Sequence, residues 1–105
     1  MAIDVGKELR RAVDTGKVLF GRRQVEKEAL KGDCKLVIIS QGAEKYARER
    51  LEQVCRAANV PFYEFEATGL EIGRCCGKPF VVSFAGVKNE GKSKVLQFSK
   101  GHKKQ

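Results

Sequence analysis

Ile3, Val5, Leu9, Ala12 and Val13 recur at helical spacing and predict an amphipathic first helix, which Gly16 stops. The run KVLF follows as a short strand. Gly21 turns the chain, and Val25, Ala29 and Leu30 place one apolar edge on a second helix ending at Gly32. KLVIIS is a continuous apolar run rich in β-branched residues, the mark of a central strand covered on both faces. Ala43, Ala47, Leu51, Val54, Cys55 and Ala58 return to helical spacing, and Asn59 and Pro61 close that third helix. PFYEFE alternates and reads as a more exposed strand. In TGLEIGRCCG, Thr68 and Glu71 form a capping box for a short fourth helix that Gly77 and Pro79 end. FVVSFAGV reads as one more apolar strand, and KSKVLQF fits either a last helix or a strand.

Strands alternating with helices imply helices on both faces of one sheet, a three-layer α/β/α sandwich. The 105 residues, 42% of them hydrophobic, suit a single domain over residues 1–98, followed by a basic tail over 99–105. No apolar run approaches the ~20 residues of a membrane span. The opening MAIDVGKELRRAV spaces its apolar residues helically, so no signal peptide is expected.

Net charge is +8, and its distribution is uneven. Residues 1–15 balance three basic against three acidic groups, and residues 36–87 balance six against six. The excess lies in residues 16–35, at six against three, and in residues 88–105, at six against one. A localised positive field suits a polyanionic partner. Charges on the third helix pair among themselves at i,i+4 spacing: Glu44–Arg48, Lys45–Glu49, Arg48–Glu52 and Glu52–Arg56. Arg22 and Arg23 are different. They stand at a helix start, whose partial positive charge favours Asp or Glu. Arg22 has Glu26 four residues on, whereas Arg23 has Lys27, a like charge.

The chemistry available is limited. Cys34, Cys55, Cys75 and Cys76 lack CxxC spacing and His102 is the one histidine, which argues against zinc and for small buried thiols in a reducing cytosol. No serine or cysteine has an identifiable base, so no catalysis and no cofactor are expected. GVKNEGKS, Gly86 to Ser93, matches the phosphate-binding P-loop formally and would open a nucleotide-binding enzyme reading. That reading also requires a magnesium-binding Asp at a later strand, and no acidic residue follows Ser93. The segment from Gly21 to Lys27 is stronger. Gly21 admits close approach, the helix start offers free N–H groups, and Arg22, Arg23, Gln24 and Lys27 add donors beside them. Such a cluster can grip a sugar–phosphate backbone and read a base edge.

DTGKVLFGRRQVEKEALKGDCKLVIIS and NVPFYEFEATGLEIGRCCGKPFVVSFAGV together carry a resemblance. In the blocks TGK, Gly-x-x-Gln-x-x-Lys, PxYEFE, LExG and CGKPF, over about residues 3–93, the chain resembles the L-thirty-e family of archaeal and eukaryotic large-subunit ribosomal proteins. That family belongs to the kink-turn-binding superfamily that also includes L-seven-A-e. The resemblance implies an α/β/α fold with a mixed four-stranded sheet, no catalysis, and a place on the cytoplasmic ribosome. It implies ribosomal RNA as partner, bound at a kink-turn or similar internal loop, with neighbouring ribosomal proteins alongside. A same-fold protein of another ribonucleoprotein particle, such as an RNA-modification guide complex, is the other reading it admits. By position, Gly21, Arg22, Arg23, Gln24 and Lys27 match the RNA-binding segment, Phe80 an aromatic that stacks on RNA, and Val81 and Val82 the loop that shields an extruded base. In L-thirty-e proteins a basic residue usually stands at the Arg23 position, where L-seven-A-e has Asn followed by Glu at the Gln24 position. An aromatic is common at the Arg22 position. After the second strand, where the family often has asparagine and proline, this chain has SQGAEK, with Gln41 in that loop.

Overall fold

A computed structural model of the chain describes residues 5–96. Four helices and four strands alternate in it: α1 (Val5–Thr15), β1 (Lys17–Phe20), α2 (Arg22–Leu30), β2 (Leu36–Ser40), α3 (Lys45–Ala58), β3 (Phe62–Phe65), α4 (Gly69–Cys75) and β4 (Phe84–Asn89). The strands form one mixed sheet in the order β1-β4-β2-β3. β4 runs antiparallel to both β1 and β2, and β2 runs parallel to β3.

Alternation along the strands divides the core between two faces. Val37, Ile39 and Phe84 join Val25 and Ala29 of α2 and Leu51, Val54 and Cys55 of α3. Leu36, Ile38, Ala85 and Val87 join Leu9 and Ala12 of α1, Ile72 of α4 and Cys76, which caps α4. The expected three layers are therefore present, and β2 is buried throughout. Asn59 caps α3 in the left-handed conformation (φ 58°), and the Thr68–Glu71 capping box starts α4.

Several local expectations differ from what the fold builds. The last strand begins at Phe84, so Phe80 to Ser83 are loop. Leu30, expected on the apolar edge of α2, is exposed. Of the four i,i+4 pairs expected on α3, only Glu52–Arg56 forms, at 3.9 Å. The Glu44 carboxylate instead accepts from the N–H groups of Tyr46 and Ala47 as the N-cap of α3, and Arg48 reaches Glu64 of β3 at 3.0 Å. Caps and cross-element partners outcompete pairs that sequence spacing allows.

Within KSKVLQF, residues up to Leu96 form neither helix nor strand. They are strapped to α1: the Lys92 N–H donates to Thr15 Oγ1 at 2.9 Å and the Lys94 N–H to Glu8 Oε1 at 2.7 Å, while Val95 is fully buried. This overturns the P-loop reading. A P-loop needs a turn of free amides opening a helix. Here Gly86 lies inside β4, paired with Val37. The N–H groups of Gly91, Lys92, Ser93 and Lys94 all donate to acceptors within the chain, and no helix follows among the described residues. Ile3, the end of KSKVLQF and the tail over 99–105 lie outside the described residues.

Candidate nucleic-acid interface

Strand directions decide which loops meet. Phe20 pairs with Ala85, Ile39 with Phe84 and Ser40 with Phe65, so the ends of β1, β2 and β3 and the start of β4 share one end of the sheet. The start of α2, the β2–α3 loop and the α4–β4 loop all open there. Residues 60 positions apart in sequence become neighbours for that reason alone.

Gly21 is the N-cap of α2, at φ 98° and ψ 140°. This is a backbone region that side chains rarely allow, and a Cβ built there meets nothing within 4 Å. The glycine serves the turn, and the space before it is open. Its N–H donates to the Phe84 carbonyl at 3.3 Å, which ties the helix start to β4. No side chain caps α2 and no acid stands in its first turn. The first N–H groups of the helix therefore lack intrahelical acceptors and face outward with partial positive charge. Arg22, Arg23, Gln24 and Lys27 are exposed around them. Arg22, Arg23, Glu26, Lys27 and Leu30 line an open depression along the helix.

Phe80 stands beside this end, 49% exposed, with its ring edge-on to Phe20 at 6.3 Å between centroids. The Lys78 ammonium lies 5.4 Å from the Phe20 ring centroid, in cation–π range. Val81 is 62% exposed and Leu70 of α4 50%, so an apolar surface adjoins the cationic one. Val82 departs from this group. Its side chain is buried in the core with Ile72 and Cys76, while its N–H donates to Gly69 O at 2.9 Å. Its side chain therefore offers nothing to a ligand. Gln41 is exposed at the same end, its N–H donating to Phe65 O at 3.0 Å.

Phe20, Lys78 and two glycines were not legible as site residues. A Cβ at Gly69 would lie 2.6 Å from Val81 Cγ1, and one at Gly73 would lie 2.1 Å from the Phe80 carbonyl oxygen. These glycines let the 80–82 loop press against α4. The signal was there, since two glycines four apart inside a helix are costly without a packing reason.

The remaining chemistry is quiet. Burial pushes the Cys55 thiol up to about 12 and the Cys76 thiol up to about 11, which suits inert core residues. Among the described residues there is no cluster of metal-ligating side chains and no helix long and apolar enough to cross a membrane.

The chain is similar to known proteins over most of its length. The model of the ribosomal protein L7Ae/L30e/S12e/Gadd45 family matches residues 4–97. The chain is 38% identical over 95 residues to the large ribosomal subunit protein eL30 of Pyrobaculum calidifontis, covering 90% of this chain and 94% of that one. The eL30 of Methanocaldococcus jannaschii is also 38% identical over 95 residues, covering 90% and 86%. That of Sulfolobus acidocaldarius is 34% identical, covering 89% of each. A solved structure of a protein of unknown function from Bacillus halodurans superposes with a TM-score of 0.79 at 26% identity, covering 93% of this chain and 97% of that one.

Proposed function

Because the chain belongs to the ribosomal protein L7Ae/L30e/S12e/Gadd45 family, we propose that it is an RNA-binding component of the large ribosomal subunit in the cytoplasm, recognising a kink-turn or similar internal loop of ribosomal RNA. Its relatives are named for the large ribosomal subunit and not for a reaction, and the chain is a ribosomal protein and not an enzyme.

The observation that carries the RNA reading is the start of α2. An uncapped helix N-terminus bearing two arginines is a poor arrangement for the free protein and a good one for a bound anion. Arg22, Arg23 and Lys27 neutralise phosphate, Gln24 reads a polar base edge, and Gly21 lets the backbone close on the RNA. The exposed ring of Phe80, braced by Phe20, supplies a stacking face, and Val81 and Leu70 offer apolar cover to a base turned out of its helix. Gln41 extends the polar rim. Internal loops with unstacked bases present this combination of phosphate, base edge and open π-face.

The test is titration of purified protein against a kink-turn RNA with tandem G·A pairs and against the same RNA with those pairs made Watson–Crick. Tight binding to the first and weak binding to the second is expected. Equal affinity for both would refute the kink-turn reading. Sedimentation of the tagged protein with another particle, and not with large subunits, would refute the ribosomal one.

A further inference from the structure

Glu26 is out of place in a cationic groove. It lies four residues after Arg22 and three after Arg23, spacings at which side chains on one helix face meet. It lines the same depression as both arginines and Lys27. Left alone, its carboxylate would pair with one of the arginines and repel an incoming phosphate. It does neither, because Arg50 of α3 holds it: Nη2 lies 3.2 Å and Nε 3.4 Å from Glu26 Oε2. The acid is the covered partner, its side chain 21% exposed against 50% for Arg50. Arg22, Arg23 and Lys27 have no ion pair or side-chain hydrogen bond among the described residues.

We propose that Arg50 is a positioning residue for RNA binding, which sequesters Glu26 so that Arg22 and Arg23 stay available to phosphate. This rests on the RNA-binding reading above. Exposed ion pairs contribute little to stability, so the pair's effect belongs in affinity and not in folding. Without Arg50, the Glu26 carboxylate turns back along its own helix, captures Arg22 or Arg23, and removes one phosphate contact.

The experiment measures kink-turn RNA affinity against salt concentration for four proteins. Arg50→Gln is expected to weaken binding on the order of tenfold, the effect of one lost hydrogen bond to a charged group. Its log–log salt slope should shrink by about 0.7–0.9, one contact's share. The double substitution Glu26→Gln with Arg50→Gln should restore wild-type affinity and slope, since no acid is left to compete. Arg56→Gln, one charge lost at the far end of α3, should change neither. Unchanged affinity in Arg50→Gln overturns the proposal. So does a double variant as weak as Arg50→Gln, which would mean that Arg50 itself touches the RNA. The same ranking in the salt needed to elute the free proteins from heparin is expected, with no RNA motif involved. If that ranking holds while wild-type protein ignores kink-turn RNA, the RNA target falls and the role of Arg50 stands.

Discussion

Replacing Arg22 and Arg23 together with glutamate should abolish RNA binding without destabilising the fold. Neither arginine makes an ion pair or side-chain hydrogen bond among the described residues, both are exposed, and the helix they begin is uncapped. Removing them therefore costs no ion pair and no side-chain hydrogen bond among the described residues. An acid in a first helical turn gains about 0.3–1 kcal/mol from the helix dipole. The new carboxylate at position 23 would also stand four residues before Lys27, the favourable order for an i,i+4 pair, at about 0.2–0.5 kcal/mol. At position 22 the new acid faces Glu26 four residues on, a repulsion of similar size that Arg50 partly cancels. The balance is a gain of about 0.5–2 kcal/mol, which for a domain of this size raises Tm by roughly 4–8 °C per kcal/mol. Thermal unfolding followed by circular dichroism measures this, and a kink-turn titration measures the affinity, which should be lost. The milder double Arg→Gln variant should lower the log–log salt slope by about 1.4–1.8, two contacts' worth. Normal RNA binding by the double glutamate variant would refute the reasoning. A lower Tm would refute it too, since the arginines would then be holding the structure together.

Three further perturbations test the site and its supports. Phe80→Ala should weaken RNA binding by about 1–3 kcal/mol, the worth of a base on an aromatic ring, while costing the fold only the edge contact with Phe20, about 0.5–1.5 kcal/mol; a large fall in Tm with unchanged affinity would place Phe80 in the core. Gly73→Ala should lower both Tm and RNA affinity, because the new methyl would sit 2.1 Å from the Phe80 carbonyl oxygen and must push the 80–82 loop off α4; an unaltered titration would show that this loop does not touch RNA. The hydrogen bond from Lys88, 2.9 Å away, holds the Glu28 carboxyl below its ordinary 4.5. Stability from that pair is therefore present above pH 4.5 and is lost as pH falls through the lowered value; Tm of Glu28→Gln should fall less steeply than wild type in that window, and parallel curves would remove the pair from the account.

The elements and the cationic segment were written in local sequence. Helical spacing from Val5 to Val13, the β-branched run from Val37 to Ile39, the turn at Gly21 and the Thr68–Glu71 box each describe a few consecutive residues, and local physics is enough to read them. The same holds for the oddity at Arg22 and Arg23, since a charge at a helix start is a local fact. Tertiary structure decided the partners. Glu26 was expected near Arg22, and α3 brought Arg50 to it. Arg48 left Glu44 for Glu64. Val81 and Val82 are adjacent and equally apolar, yet one is exposed and the other buried, because the glycines of α4 set how the loop lies. Phe20 and Phe80 both read as strand residues in the sequence, and the antiparallel pairing of β1 with β4 is what sets one ring against the other. Hydrophobic periodicity records which face of an element is covered and says nothing of what covers it. That depends on strand order and direction, settled by the whole chain at once.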